Sequence, residues 1–562
     1  MLARQLYCRA CMRFLAGRQC NCRPNGFLKV LAGLLVLLLT AAPAFAAVYQ
    51  YSVEVGQRRA YLWIPPQATR VRGVVLSLAN LLERNWLEDP IIRQAAADES
   101  LGVIWVGPAA KQPGAAPPAL TADMRDGAAD ALQKMFKDLA DDSGYAEMEF
   151  APIIAMGHSA NGQFSWNVPN WNAGRTIAAI PVKTVPLPKS LGFKGVPLCY
   201  LVGETTEWPQ YRDGRAGDRD FFWPVVRDSA IALRSADADN LIGVVTDPGG
   251  GHFDWSEHQA QFLALYIRKA CQYRLPEKPP ATGPVKLRTI DPHSGWLTDT
   301  GGMEADDFPP APYDRYKGNR KKSYWFFDEE TALAAVAFQG DRKKRFRQML
   351  TFVEDGHQLP VAKQGFAPLK FRPQADGLTF KVHGDFLAEM PAELIGEGEK
   401  LGHAPGPIKF RVITGPAVQT GPETFRVQFD RGAEGGPVWI QEEHPGDDEY
   451  RHAVQPGQMT IPPKLDKGKP QVITFPKIEN QKAGAKSVKL AATSDSGLKV
   501  DYYVVAGPAE VKGNSLQLTP IPERSKYPVK VTVVAYQWGR AIEPLVQSAE
   551  PVEQTFLVEK SE

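Results

Sequence analysis

An apolar run, Ile153-Ile154-Ala155-Met156, leads through Gly157-His158 into Ser159 and at once into Ala160-Asn161-Gly162, after which a helix can start. No other stretch restricts the fold as strongly. A serine on a tight strand-to-helix turn has its hydroxyl pushed out beyond the sheet edge, and the next backbone N–H, that of Ala160, points into the same space. The pattern departs from G-x-S-x-G, because Asn161 stands at the second glycine position and Gly162 comes one place late. Five residues are a weak signal by themselves, so partners are required downstream in the right order.

The surrounding chain supports a strand-to-helix reading. From Ala47 to about Arg274 strands and helices alternate. Val48–Val55 and Arg59–Ile64 read as a hairpin. Gly73–Ala79, Gly102–Val106, Thr176–Val182, Leu198–Val202 and Leu241–Val245 read as buried strands. Helical spacing predicts Pro90–Glu99, Asp123–Leu139 with Asp123 as its N-cap, Pro224–Arg234 and Trp255–Lys269. Such alternation implies an α/β fold with a mostly parallel sheet and helices on both faces.

Catalytic groups of such sheets gather at the carboxyl ends of the strands. After Leu241–Val245 comes Asp247-Pro248-Gly249-Gly250-Gly251-His252, where three glycines let the loop fold tightly and return His252 over the sheet edge. There it can act as general base toward Ser159 and then as acid to a leaving group. The preceding strand ends in Gly203-Glu204-Thr205-Thr206-Glu207. Either carboxylate could orient the imidazole: Glu207 fits the usual loop position, and Glu204 lies nearer the strand end. Trp166, Trp171, Trp208, Trp223 and Trp255 follow these segments and would suit a stacking wall, or else fill the core.

Residues 47–275 resemble the α/β-hydrolase fold, whose chain order of serine, acid and histidine is met here. The resemblance implies Ser159 as nucleophile, His252 as base and the Ala160 N–H as one oxyanion donor. It places the second donor in the loop after the third strand, here Ala79-Asn80-Leu81-Leu82, so that Asn80 or Leu81 is the candidate. The His-Gly-Gly common in that loop is missing. No cofactor or metal is implied.

The termini carry different signals. Residues 1–46 hold six Lys/Arg and no Asp/Glu, an apolar run from Val30 to Leu39, and Ala44-Phe45-Ala46 before Ala47. That is the pattern of a cleaved secretory signal peptide and predicts a secreted or periplasmic protein. A retained anchor is the alternative, although the run is short for a span of ~20 residues. Removal changes the formal charge from +2 to −4, which gives no support for nucleic-acid binding. Cys8, Cys11, Cys20 and Cys22 leave with the signal. Cys199 and Cys271 remain, as a disulfide or as core thiols.

Beyond Leu275 the composition changes. Residues 276–346 read as a linker and mixed segment with one helix, Glu329–Phe338, capped by Asp328. Residues 347–465 alternate with period two, as in a β-sandwich. Glu442–Glu449 with His452 reads there as a solvated acidic turn. Residues 471–560 have short strands parted by turn residues, and Ser494–Val500 with Gly507-Pro508-Ala509 resembles bacterial Ig-like repeats. The whole predicts a serine hydrolase of carboxylic esters, small or on an acylated polysaccharide, with β domains that contact carbohydrate or a cell surface. An inert binding or adhesion protein and a peptidase of the same fold are the alternatives.

Overall fold

The computed structural model describes residues 48–109, 119–125, 127–203, 222–300, 308–360, 365–391 and 398–561. Its organising element is an eight-stranded sheet in the order β1-β2-β4-β3-β5-β6-β7-β8. The strands are β1 (Tyr51–Val55), β2 (Arg58–Trp63), β3 (Gly73–Leu78), β4 (Leu101–Val106), β5 (Ile153–Ser159), β6 (Thr176–Thr184), β7 (Leu198–Gly203) and β8 (Ile242–Asp247). β1 and β2 form the expected hairpin, β2 lies antiparallel to β4, and every later pair is parallel. This is the α/β-hydrolase arrangement, followed in the chain by β-rich material. From β3 to β8 only Ser159 rises above full burial, which is why these strands read as unbroken apolar runs.

Helices α1 (Glu83–Glu88), α2 (Pro90–Asp98), α3 (Ala128–Ser143), α4 (Phe164–Asn172), α5 (Phe222–Ala236) and α6 (Glu257–Arg274) connect the strands. The start of α3 differs from the sequence expectation. Met124 has φ 54° and Gly127 φ 86°, so the chain turns left-handed twice before the helix begins. Asp123 caps nothing there and instead accepts the Thr121 hydroxyl at 2.6 Å. Helix α1, which the sequence reading missed, is under two turns long, too short for periodicity to mark. Cys199 and Cys271 are separate buried thiols, not a disulfide.

The segment 276–346 covers the β8 edge of the sheet. Phe326 packs so closely on β8 that a Cβ at Gly243 would lie 2.8 Å from its ring. Helix α7 (Glu329–Lys344) follows, with Asp328 accepting the Thr331 N–H at 3.0 Å as the expected cap. From α7, Gln339 Oε1 takes the Thr246 N–H at 3.2 Å, a donor that an open edge would leave to solvent.

Among the described residues the β-rich regions each contain three small sheets, two of which form a facing pair. One pair includes Lys409–Thr414, Gly436–His444 and Ala453–Ile461 against Thr379–Lys381, Ala417–Gly421 and Thr424–Val427. The other sets Asp501–Ala506, Val529–Tyr536 and Val552–Glu559 against Ser487–Lys489, Ala509–Lys512 and Ser515–Leu518. Neither region keeps its core to itself. Tyr502, Val531 and Phe556 join the cluster around Leu62 and Phe136 of the eight-stranded sheet, while Tyr503, Tyr536 and Trp538 join the cluster of Phe380 and Ile440. Glu442, Gln441 and His444 are buried in a strand, so the acidic turn begins only after His444. Among the described residues no helix is long and apolar enough to cross a membrane. The expected signal peptide lies outside them.

Candidate active site

Ser159 ends β5 with φ 51°, a left-handed angle that L residues rarely adopt and that turns its side chain away from the strand. Two glycines make this turn fit. A Cβ at Gly157 would fall 2.3 Å from the Asn161 carbonyl oxygen, and one at Gly162 would fall 2.2 Å from Thr184 Cβ on β6. Close packing therefore rests on Gly162, one place later than in G-x-S-x-G. Asn161 has its own task there: its amide donates to the Ala79 carbonyl at 2.7 Å and ties the turn to the loop after β3.

The glycine loop after β8 brings His252 back, as its sequence requires. Ser159 Oγ and His252 Nε2 are 2.8 Å apart, although 93 positions separate them in the chain. His158 pins the same loop: its Nε2 lies 2.8 Å from the His252 carbonyl, so the ring donates there. Burial, and secondarily His252, hold the His158 imidazole well below the usual range, which keeps it neutral.

Beneath the loop lies a buried ionic knot that the sequence reading missed. Lys183, fully buried at the end of β6 with φ 47°, reaches Asp254 Oδ2 at 2.9 Å and Asp247 Oδ2 at 3.3 Å. Gln259 on α6 donates to both carboxylates, and Asp254 Oδ1 accepts the Gly251 N–H at 2.5 Å. Burial pushes the Asp247 carboxyl up, and Lys183 opposes that shift. Asp254 thus holds the loop's backbone in place, and Lys183 and Gln259 tie it to Asp247. Glu204 and Glu207 lie outside the described residues.

The loop after β3 contains a second group unmarked by sequence. Glu83, 1% exposed at the start of α1, accepts the N–H groups of Asn80 and Leu81 on Oε2, each at 2.8 Å, and that of His158 on Oε1 at 2.9 Å. Burial pushes its carboxyl up to about 7. The Asn80 and Leu81 backbone donors, expected at an oxyanion, are therefore spent on Glu83. The exposed Asn80 side chain remains at the rim, its amide 3.3 Å from the His158 carbonyl. Among the described residues the Ala160 N–H has no hydrogen-bond partner.

Of the two readings of the tryptophans, a stacking wall or core filling, the described ones follow the second. Trp166 and Trp255 are core residues and Trp171 is half-buried, while Trp208 and the side chain of Trp223 lie outside the described residues. The His252 ring lies against those of His158 and Phe253, and Phe253 in turn packs on Phe366 and Trp439 from the β-rich region. Among the described residues no group of three or more His, Cys, Asp or Glu is arranged to hold a metal ion.

No protein-family model matches this chain, and no curated protein matches it by sequence. Solved structures do resemble part of it. The LpqC poly(3-hydroxybutyrate) depolymerase from Bordetella parapertussis is 14% identical over 42% of this chain and 94% of its own, with a TM-score of 0.28. Poly(aspartic acid) hydrolase-1 from Sphingomonas sp. KT-1 is 14% identical over 40% and 98%, with a TM-score of 0.29. An alpha-beta serine hydrolase homologue from Coxiella burnetii is 12% identical over 39% and 95%, with a TM-score of 0.26.

Proposed function

We propose that this protein is a serine hydrolase that cleaves carboxylic esters through an acyl-enzyme. The observation that carries the reading is Ser159 Oγ, presented on a left-handed turn, 2.8 Å from His252 Nε2. His252 Nε2 takes the hydroxyl proton as Ser159 attacks the ester carbonyl, and then hands it to the leaving alcohol. Water enters by the same route in reverse and releases the acid. The acid that orients the His252 ring is Glu207 or Glu204, by their place after β7.

Charge on the tetrahedral intermediate falls to the Ala160 N–H and, with Asn80 and Leu81 main-chain donors held by the buried Glu83, to the exposed Asn80 side-chain amide, which turns to it from its 3.3 Å contact with the His158 carbonyl. Secretion and contact of the β-rich regions with carbohydrate belong to this reading as further proposals from the sequence pattern. The test is covalent labelling by a fluorophosphonate probe. Wild type should be labelled and Ser159→Ala should not, with hydrolysis of a short-chain ester falling at least about 10³-fold. A folded wild type that resists the probe would end the ester-hydrolase reading.

A further inference from the structure

The strand Gly436–His444 faces two ways. Val438 and Ile440 point into the β-rich core, while alternate residues meet the His252 loop. Trp439 packs on Phe253 with ring centroids 4.5 Å apart, and Gln441 Oε1 accepts the Trp255 N–H at 3.1 Å. From the other side, the His452 carbonyl lies where a Cβ on Gly249 would be, at 1.8 Å. The loop that carries His252 is thus laid along a strand of the β-rich region, and that region is built into the site.

Three rings come together at this seam. Phe366 lies 4.7 Å from Trp439 and 5.7 Å from Phe253, and Phe253 meets the His252 ring edge-on at 4.5 Å. Trp439 is only 5% exposed, but Phe253 and Phe366 are half-buried and leave apolar surface next to the base. A general base that returns its proton to the leaving oxygen has that leaving group on its own side. A carbon skeleton that runs from that oxygen along the His252 ring comes first to Phe253, and Phe366 and Trp439 lie behind it.

We propose that Phe253, Phe366 and Trp439 form a subsite for the alcohol part of the ester, and that this subsite takes an aromatic alcohol. The proposal rests on the ester-hydrolase reading. An aromatic ring offset or edge-on to such a cluster is attracted beyond what its buried area gives, and a short alkyl alcohol has no ring to offer.

The test compares 2-phenylethyl acetate with ethyl acetate, which share an acyl group and have leaving alcohols of similar basicity, on the full chain and on Phe366→Ala and Phe366→Leu. The ratio of kcat/KM for the two esters should fall about tenfold in Phe366→Ala and less in Phe366→Leu. An unchanged ratio in Phe366→Ala overturns the subsite. Fluorophosphonate labelling of Ser159 in the same samples separates the two failures: a labelled enzyme with an unchanged ratio is a hydrolase without this subsite, and an unlabelled, folded chain removes the reading beneath it.

Discussion

Glu83 and His158 are joined by a hydrogen bond of 2.9 Å from the His158 N–H to Glu83 Oε1, across 75 positions of chain. Through it a carboxyl group behind the site holds the residue next to Ser159, while its other oxygen holds the Asn80–Leu81 turn. One buried carboxyl group thereby fixes both walls of the space in front of Ser159.

That carboxyl group should leave a mark on stability. The folded Glu83 carboxyl titrates at about 7, above its ordinary 4.5, so the folded state binds the proton more tightly. Its contribution is fully present below pH 4.5 and is lost as pH rises through 7, on the order of 3 kcal/mol in all. Urea midpoints of wild type and Glu83→Gln between pH 4 and 8 measure it. The difference between the two should change with pH in this direction, and a constant difference would refute the assignment.

Removal of the buried cation should be costly. Lys183→Met leaves Asp247 and Asp254 facing each other without their shared ammonium, which typically costs about 3–5 kcal/mol. Because Asp254 also holds the Gly251 N–H, hydrolysis should fall with stability. Denaturant unfolding and steady-state rates check both, and a variant as stable as wild type would show that the knot carries no such weight.

Gly249 and Gly195 separate crowding from backbone strain. Both have positive φ, 74° and 67°, but a Cβ at Gly249 meets the His452 carbonyl at 1.8 Å and one at Gly195 meets nothing within 4 Å. Gly249→Ala should lose about 2–4 kcal/mol and much of its activity, Gly195→Ala about 1 kcal/mol and little activity. Thermal melting of the two variants side by side is sufficient, and equal losses would contradict the close approach of His452.

Asn80→Ala should lower kcat about 10²-fold with KM changed little, since the proposed donor acts on charge that develops only in the transition state. If KM rises instead while kcat holds, Asn80 binds substrate and the second donor lies elsewhere.

Sequence alone determined the sheet and marked half of the candidate site. Buried parallel strands must be apolar throughout, and a serine turn and a triple-glycine loop announce themselves locally, so β3 to β8, Ser159 and His252 were all legible in order. The close-packing role of Gly162 was not, because G-x-S-x-G counts residues while packing on Thr184 depends on where β6 runs. Glu83, Lys183 and Asp254 escaped for a related reason: a buried charge looks like any surface charge until its partners arrive from distant strands. The aromatic seam of Phe253, Phe366 and Trp439 belongs wholly to tertiary structure. Nothing local in the β-rich region says that one face of Gly436–His444 will lie along the loop of His252; only the shared packing of the two regions decides it.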